Sequence, residues 1–323
     1  MINTNTASNP ARRNLLASFA TAATLAFMLG AIARETPALG QTTLKAGDIV
    51  YADSGDAIVG GAIIKVDGVT GVKSVISSGG FLHMPFDVVL EGGTIVVSDS
   101  CRLIAIDPAK GTQTLLADNS AGTLGSPYGV TLSHSGSLLA ANLAAIVQVN
   151  PSSGQVQQLY SGAFLGYPLG VAVASNGQIY VLSICSTGRQ IININPSTGV
   201  SRIVTQGLYL KNPQAIAVQG NDIYVTDVAT PDGNFGTGCI IHINAQTGAQ
   251  SILSRGNNLA GPVGIAINSS GQLIVGDPYT SLTPDDYTGA IIRISTTDGS
   301  QTVLARGADS FVNPRGVAVV PGK

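Results

Sequence analysis

The sequence predicts an all-β fold, a six-bladed β-propeller of four-stranded antiparallel blades, over residues 41–323. A segment resembling Pro-x-Gly-Val-Ala recurs six times, with its prolines 42, 41, 45, 49 and 52 residues apart, and a period of about 40–50 residues is typical of propeller blades. Forty glycines and only 11% charged residues suit short strands joined by tight turns. The two chain ends also supply complementary parts of one blade. The recurring prolines are Pro85, Pro127, Pro168, Pro213, Pro262 and Pro314.

Residues 1–40 are predicted to form an export signal. Arg12 and Arg13 precede an Ala-, Leu- and Thr-rich run, and small residues stand before Gly40, as at a cleavage site. The arginine pair is typical of the twin-arginine route. An ordinary secretory signal and an uncleaved anchor are the alternatives, since the apolar run is just long enough to span a bilayer. We therefore expect an exported protein, periplasmic or extracellular, with no membrane span in the mature chain.

The copy that opens at Pro168 shows how one blade is written. Its first strand alternates small and β-branched residues, as a strand buried on both faces does. Asn-Gly then favours a tight hairpin, and Pro-Ser-Thr-Gly a second turn, because Pro fixes φ and Gly releases it. The predicted strands and turns are, in order, Gly170–Ala174, Ser175–Gly177, Gln178–Leu182, Ile191–Asn195, Pro196–Gly199 and Val200–Thr205.

The first and last copies are incomplete in complementary ways. Asp48–Asp53, Ala62–Asp67 and Val72–Ile76 supply strands two to four without a first strand, whereas Pro314–Val320 supplies a first strand with nothing after it. Joining them completes one blade and closes the ring, which removes exposed sheet edges. We count this closing blade as blade one, so that Pro85 opens blade two.

Composition limits the function classes. The formal charge is −2, or −4 once residues 1–40 are removed, and no basic stripe exists to replace the counterions of phosphates, so we expect no nucleic-acid partner. Three cysteines do not make a disulfide framework. Cys185 and Cys239 lie in equivalent connections of neighbouring repeats, so one bridge and three free thiols both stay open. We predict a monomer.

The motifs Pro-x-Gly-Val-Ala-Val, Asn-Gly-x-Ile-Tyr-Val and Ile-x-Ile-Asn-Pro-x-Thr-Gly resemble those of NHL-repeat propellers, over about residues 45–323. These are similar in turn to the streptogramin lyases and the gluconolactonase group. The resemblance implies a site at the central mouth, formed by His residues in the lyases and by acidic and Asn residues holding a divalent metal in the lactonases. This chain lacks both patterns at the corresponding positions, and the fold itself hosts hydrolases, lyases and binding modules.

Two rings of residues are expected at the face where the first strands begin, which we call the upper face. The residue after each recurring proline lines the mouth, and there Phe86, Tyr128, Gln214 and Arg315 are candidate ligand-binding residues. His83 and Asp87 are candidate catalytic residues as an acid/base pair, although a lone loop histidine is more often solvated or packed. The full inner ring is Phe86, Tyr128, Leu169, Gln214, Val263 and Arg315.

The second ring ends each second strand. Asp53, Asp99, Asp227 and Asp277 occupy four of its six positions, with Asn142 and Ser183 in the others. Several oxygens together suit Ca²⁺ or another divalent cation. The alternative is structural, since a short acid at a strand end accepts backbone N–H bonds from the turn that it begins.

Long connections in blades one, five and six are predicted to form one asymmetric wall, because variable loops carry function. The first hypothesis is a binding module whose mouth recognises a small molecule, peptide or protein. The second is a divalent-cation-assisted hydrolase or lyase using the four carboxylates. The candidate ligand-binding residues on these connections are Asp232, Asn234, Phe235, Tyr279, Asp285, Asp286 and Tyr287.

Overall fold

Four-stranded antiparallel sheets make up the described chain. The computed structural model describes residues 42–55, 60–162, 164–279, 288–307 and 313–322. Within these ranges it has 24 strands and a single turn of 3₁₀ helix, Asn119–Ala121. The strands are β1 Ile49–Asp53, β2 Ala62–Val66, β3 Lys73–Ser78, β4 Pro85–Glu91, β5 Thr94–Asp99, β6 Arg102–Ile106, β7 Gln113–Asp118, β8 Pro127–Leu132, β9 Leu138–Asn142, β10 Ala145–Val149, β11 Val156–Tyr160, β12 Tyr167–Val173, β13 Ile179–Cys185, β14 Gly188–Ile194, β15 Ser201–Gln206, β16 Pro213–Gln219, β17 Asp222–Ala229, β18 Phe235–Asn244, β19 Gln250–Arg255, β20 Gly264–Ile267, β21 Leu273–Asp277, β22 Ala290–Ile294, β23 Gln301–Arg306 and β24 Pro314–Val319.

The sheets are the six blades of a propeller ring, which confirms the predicted fold. Blades two to six each use four consecutive strands, and blade one has the order β24-β1-β2-β3. Val317 pairs with Tyr51 and Val319 with Ile49 in an antiparallel register. The last strand therefore completes the first blade, and the pairing covers the edge that β1 would otherwise expose.

The turn between the third and fourth strands of a blade lies on the lower face. In blade four the Asn195 Oδ1 accepts the backbone N–H groups of Ser197 at 3.0 Å and Thr198 at 3.3 Å. Gly199 then takes a φ of 69°, which a residue with a Cβ adopts only with strain. Asp107, Asn150 and Asn244 accept the corresponding amides in their own blades, so the side-chain oxygen is what the repeated motif requires.

Glycine in the Pro-x-Gly motif is explained by the narrow centre of the ring. A Cβ on Gly129 would lie 2.8 Å from the Cα of Gly170 in the next blade, and one on Gly170 would lie 3.0 Å from the Ile216 Cγ2. First strands of neighbouring blades thus approach too closely for a side chain at this position. Apolar residues farther out fill the space between blades, and Leu103, Val181 and Ile292 are among those that are fully buried there.

Glutamines at the start of three outer strands clip neighbouring blades together. Gln250 in β19 accepts the Tyr209 N–H at 3.0 Å and donates to the Thr205 Oγ1 at 2.9 Å, both in the preceding blade or the loop after it. Gln113 and Gln301 make the same kind of contacts at two other blade boundaries. These bonds support the loops that lead from one blade to the next on the upper face.

Candidate functional site

A small cavity occupies the upper centre of the ring. Its volume is 90 Å³. The residue after each recurring proline lines it, because each first strand starts at the upper rim next to the axis. Asp87, one residue after Phe86, lines it as well. The structure thus brings together the six positions that the repeat alignment assigned to one ring, namely Phe86, Tyr128, Leu169, Gln214, Val263 and Arg315.

Aromatic rings cover one side of this cavity. The ring centroids of Phe86 and Tyr128 are 4.7 Å apart with planes 29° apart, and Tyr167 meets Tyr128 edge-on at 5.7 Å. The Arg315 Cζ lies 5.7 Å from the Phe86 centroid, within the range of a cation–π contact. Burial raises the pKa of Tyr167, and its contact with Tyr128 acts in the same direction. Blades one to four therefore contribute one continuous aromatic and cationic surface.

Arg315 supplies the positive charge of the mouth. Its Nε donates to the Ser54 Oγ at 2.9 Å, across the joint between the two chain ends. Burial lowers the pKa of this guanidinium, whereas Tyr279, Tyr128 and Asp53 favour its charged form. An arginine stays protonated under such opposing influences. Within the described residues the bond to Ser54 is the hydrogen bond found for this side chain.

Ser54 was not singled out by the sequence. It stands one residue after Asp53, as the first residue of a connection, and nothing in its type marks it. Only closure of the ring brings it to Arg315. Leu143 was missed for a similar reason, because it lies in a connection between β9 and β10 that is too short to suggest a surface role.

Asp87 and His83 are not joined by a contact. The Asp87 carboxylate accepts the Val88 N–H at 2.9 Å and, in the next blade, the Val130 N–H at 3.0 Å. Burial raises its pKa to about 7, and these two amides act against that shift. His83 is exposed, with its ring Nδ1 3.0 Å from the Phe81 carbonyl oxygen. Asp87 thus ties blade two to blade three, and the catalytic pair stays a prediction without the contact that it needs.

The four aspartates of the second ring are fully buried. Asp277 accepts the N–H groups of Ala260 at 2.8 Å, Gly261 at 3.0 Å and Tyr279 at 2.8 Å. Two of these donors lie on the loop entering blade six, and the third lies in the turn after the strand. Each carboxylate therefore fixes the loop that enters its own blade, which is more than the turn-capping role that the sequence suggested.

The other second-ring positions do the same work. Asp227 accepts amides from Lys211, Asn212 and Ala229, Asp53 accepts those of Gly55 and Asn313, and Asp99 accepts those of His83 and Met84. Asn142 accepts the Ser126 N–H at 3.0 Å, and the Ser183 hydroxyl donates to the Leu165 carbonyl. Since uncharged side chains serve at two of six places, the shared requirement is a hydrogen bond to the entering loop.

Burial also affects the pKa values of the second-ring aspartates, which bear on metal binding. Burial raises the pKa of Asp53, Asp227 and Asp277 to about 6, and the amide donors oppose the shift. Among the residues that the structure describes, no group of three or more His, Cys, Asp or Glu side chains is placed to hold a metal ion. A divalent cation at Asp53, Asp99, Asp227 and Asp277 stays a prediction, and the geometry gives these carboxylates another role.

The blade-five connection is shorter than the sequence predicted. Strands β17 and β18 continue past Asp227, with Ala229 paired to Phe235, so only a tight turn remains. Asp232 and Asn234 lie in that turn, and Phe235 projects from the strand end, half exposed. Cross-strand pairing outcompetes a loop here because it satisfies the backbone groups.

The blade-six connection is described only in part. The ring of Tyr279 lies against Gly261, where an added Cβ would come within 2.5 Å of the Tyr279 Cδ2, and its charge interaction places it near Arg315. Asp285, Asp286 and Tyr287 lie outside the described residues, as does Asp56 of blade one. The expected acidic wall across blades one, five and six is therefore a prediction that these loops leave untested.

Exposed apolar side chains lie on the upper face of blades two to five and on the loops that enter these blades. Six of them lie on the loops of the upper face, and they are between 38% and 61% exposed. We call this set the apolar rim. Other exposed apolar residues, such as Val200 on a lower turn and Ile203 on an outer strand, lie away from it. The apolar rim consists of Phe81, Met84, Leu143, Phe164, Leu208 and Phe235.

The three thiols are free. Cys101 is exposed, Cys185 is half-buried and Cys239 is buried. The bridge between Cys185 and Cys239 that the repeat alignment left open is not formed. The Cys239 Sγ instead lies 3.5 Å from the Ala229 carbonyl oxygen, inside blade five.

Together these features define a class of protein, a six-bladed β-propeller with a narrow aromatic mouth. No family model and no curated protein sequence matches the chain. Among solved structures 946 chains match. A fold this common does not decide function. One is a chain of the crystal structure of a nidogen/laminin complex, with a TM-score of 0.63 and 14% identity, over 84% of this chain and 97% of that chain. At this identity the likeness shows the fold alone.

The described part of the chain contains no helix with the length and apolarity that a bilayer span requires.

Proposed function

We propose that this chain is an exported binding propeller whose upper face holds a protein or peptide partner. The observation that carries this proposal is the apolar rim beside an aromatic mouth. Exposed apolar patches mark interaction surfaces, and aromatic residues, Met and Arg are enriched in protein interfaces. The rim supplies Phe, Met and Leu side chains, and the mouth adds Tyr and Arg.

The size of the central cavity favours a surface partner over a small molecule inside the channel. Pockets for drug-sized ligands have volumes of about 300–1,000 Å³. The cavity here, at 90 Å³, is well below this range. A ligand at this mouth must therefore rest mainly on the rim and send only a small group inward.

Two rim residues also have an unfavourable backbone. Leu143 and Leu208 adopt φ values of 45° and 52°, in the left-handed region that non-glycine residues seldom occupy. Their side chains are largely solvent-exposed, so neither the backbone conformation nor the exposure stabilises the isolated chain. Such local costs cluster at binding surfaces, and burial of both leucines beneath a partner offsets them.

Arg315 defines the chemistry of the group that enters the mouth. Its guanidinium is held by Ser54 and lies over Phe86, so its orientation is fixed before binding. Guanidinium N–H groups pair best with a carboxylate. We therefore expect a partner that covers the rim with apolar side chains and presents one carboxylate to Arg315.

Export and an NHL-type relationship are parts of the same proposal. Residues 1–40, with Arg12 and Arg13, lie outside the described residues. The resemblance of the repeats to NHL propellers names a narrower class of propeller than the structural comparison does. The structural neighbour comes from a nidogen/laminin complex. The present proposal likewise gives the propeller a protein partner. Cell fractionation of the double variant Arg12→Lys, Arg13→Lys tests the route, since retention in the cytoplasm indicates twin-arginine export.

Site-specific photo-crosslinking in the exporting cell tests the binding surface. A photoreactive amino acid at Phe164 or Leu208 is expected to capture one discrete partner, whereas the same group at Val200 or Ile203, which are also exposed, captures none. The partner is then purified and its affinity measured. Phe164→Ser and Leu208→Ser should weaken binding about 30-fold, the scale of interface hot spots, and Val200→Ser should leave it unchanged. Equal crosslinking at all four sites would refute the surface.

The competing hypothesis of a cation-assisted hydrolase or lyase is tested on the same preparation. Native mass spectrometry that finds one stoichiometric divalent ion, lost in Asp277→Asn but kept in Asp232→Asn, supports the enzyme and counts against the binding proposal. A protein that carries no such ion and crosslinks only through the rim supports the binding proposal.

A further inference from the structure

A second and larger cavity lies on the lower face, between blades three and four. Its volume is 300 Å³, about twice that of an engineered cavity known to bind benzene. The lining residues all belong to the described chain and are far from the mouth, since they lie near the turns that follow β8 and β14. Nothing in the proposed function uses this cavity.

The repeat shows what fills the corresponding space in the next two blades. Leu139 pairs with Gln148 across β9 and β10. At the same position of the next two blades, Tyr180 pairs with Asn193 and Tyr224 pairs with His242. Both tyrosines are almost fully buried, and the Tyr224 ring stacks on His242 with centroids 5.3 Å apart. Blades four and five thus insert an aromatic ring between blades at this position, whereas blade three has Leu139 and the other three blades have Val50, Val96 and Ile274.

The walls of the cavity suit such a ring. Leu139 and Leu159 from blade three, with Val173 and Ile179 from blade four, form apolar sides. Apolar walls with a few polar groups are the usual composition of small-molecule sites. The cavity lies between these two neighbouring blades.

One polar group in the cavity is oriented and available. The Gln148 Oε1 accepts a hydrogen bond from the Gln157 Nε2 at 2.8 Å, which fixes the direction of its amide. Its Nε2 has no acceptor among the described residues. The Ser133 and Ser135 hydroxyls, 2.8 Å apart, and the His134 imidazole lie at the same cavity. The site thus offers a donor to an oxygen atom on an otherwise apolar molecule.

We propose that this inter-blade cavity binds a small planar aromatic molecule with one oxygen substituent, a phenol, in the place of the ring that Tyr180 and Tyr224 supply in the next two blades. The apolar walls hold the ring, and the Gln148 Nε2 donates to the phenol oxygen.

Calorimetric titration with p-cresol, the side chain of tyrosine as a free molecule, tests the proposal. One equivalent is expected to bind to the wild-type protein, and Leu139→Tyr should weaken binding at least tenfold because its ring fills the site. Ile203→Tyr, which adds the same ring on an exposed outer strand, is the matched control and should bind as the wild type does. No saturable binding by the wild type, or equal binding by both tyrosine variants, overturns the proposal.

Gln148→Leu keeps the test decisive if Leu139→Tyr does not fold. Loss of one hydrogen bond should weaken p-cresol binding between about twofold and tenfold, while toluene, which has no oxygen, binds this variant at least as well as it binds the wild type. An unchanged ratio of p-cresol to toluene affinity shows that Gln148 does not recognise the oxygen, and this refutes the phenol assignment.

Discussion

Replacement of Asp227 by alanine should loosen the loop that enters blade five. The buried carboxylate accepts N–H groups of Lys211 at 2.8 Å, Asn212 at 2.9 Å and Ala229 at 2.9 Å. Alanine removes the acceptor of all three at once. The backbone N–H groups of Lys211 and Asn212 then lose their side-chain acceptor, although Gln214 still donates to Asn212 and the strands themselves stay paired.

The size of the effect follows from the number of bonds. An unsatisfied buried donor costs about 1–3 kcal/mol. The loop is partly exposed and can admit water, so we take the lower figure and expect a loss of about 3 kcal/mol from the free energy of unfolding. For a domain of about 280 residues the entropy of unfolding is about 0.6 kcal/mol per kelvin, and the melting temperature falls by about 5 °C. Asn142→Ala removes two hydrogen bonds, one from the Ser126 N–H and one to the Thr123 carbonyl, and should cost about 2 kcal/mol.

Differential scanning calorimetry and amide hydrogen exchange measure the two consequences. Exchange at Lys211 and Asn212 should accelerate in Asp227→Ala, and Asp232→Ala, an exposed acid on the same blade, should leave both the melting temperature and the exchange unchanged. The reasoning fails if Asp227→Ala melts with the Asp232→Ala control. It also fails if a chelator lowers the wild-type melting temperature as much as the substitution does, since a bound cation is then what Asp227 supports.

Three further outcomes are expected. Burial raises the pKa of Asp87 from 3.8 to about 7, so the folded protein holds this proton to a higher pH than the unfolded chain does. The contribution of Asp87 to stability is therefore present below about pH 4 and is lost as the pH rises to about 7. In thermal unfolding, Asp87→Asn should lose less stability over this pH range than the wild type. Val317→Asp puts an unpaired charge in the buried joint of blade one and should lower the free energy of unfolding in urea by about 3–5 kcal/mol, whereas Val200→Asp on an exposed turn should change it by less than about 0.5 kcal/mol. A thiol reagent should label Cys101 and Cys185 in the native protein but Cys239 only after unfolding, because burial raises the pKa of Cys239 to about 12; rapid native labelling of all three would contradict the packing of blade five.

Much of the fold could be predicted because the same local sequence pattern occurs six times. The Asn-Pro-x-x-Gly turn and the alternating strands are decided by residues within a few positions of one another, and the structure has the blade-four strands within three residues of the predicted bounds, with β13 and β14 extended to Cys185 and from Gly188. Closure was also predictable, since Pro314–Val319 and β1 each lack what the other supplies. The blade-five connection was not, because the extension of β17 and β18 depends on pairing between Ala229 and Phe235, which residue types alone do not reveal.

The candidate site divides in the same way. The alignment alone assigned Phe86, Tyr128 and Arg315 to one ring, because equivalent positions in a ring of blades share one level. The stacking of those side chains, and the bond from Arg315 to Ser54, depend on distances that only the assembled ring fixes. The hydrogen-bond partners of Asp87, the amides of Val88 and Val130, were likewise outside the reach of sequence, since residue order says nothing about which way a side chain turns.

By itself, then, the order of residues determined the number of blades, their strands and the set of side chains at the mouth, since these depend on short-range periodicity repeated along the chain. Tertiary structure decided what the second-ring aspartates do and where empty space remains. By residue type, the Asp227 carboxylate is of the kind that binds metal ions. In the folded chain it is buried and accepts three backbone N–H groups. The cavity between blades three and four is lined by residues of both blades, so it exists only once the two blades pack together. Burial and long-range packing assign such roles, and both come into being only when distant segments meet.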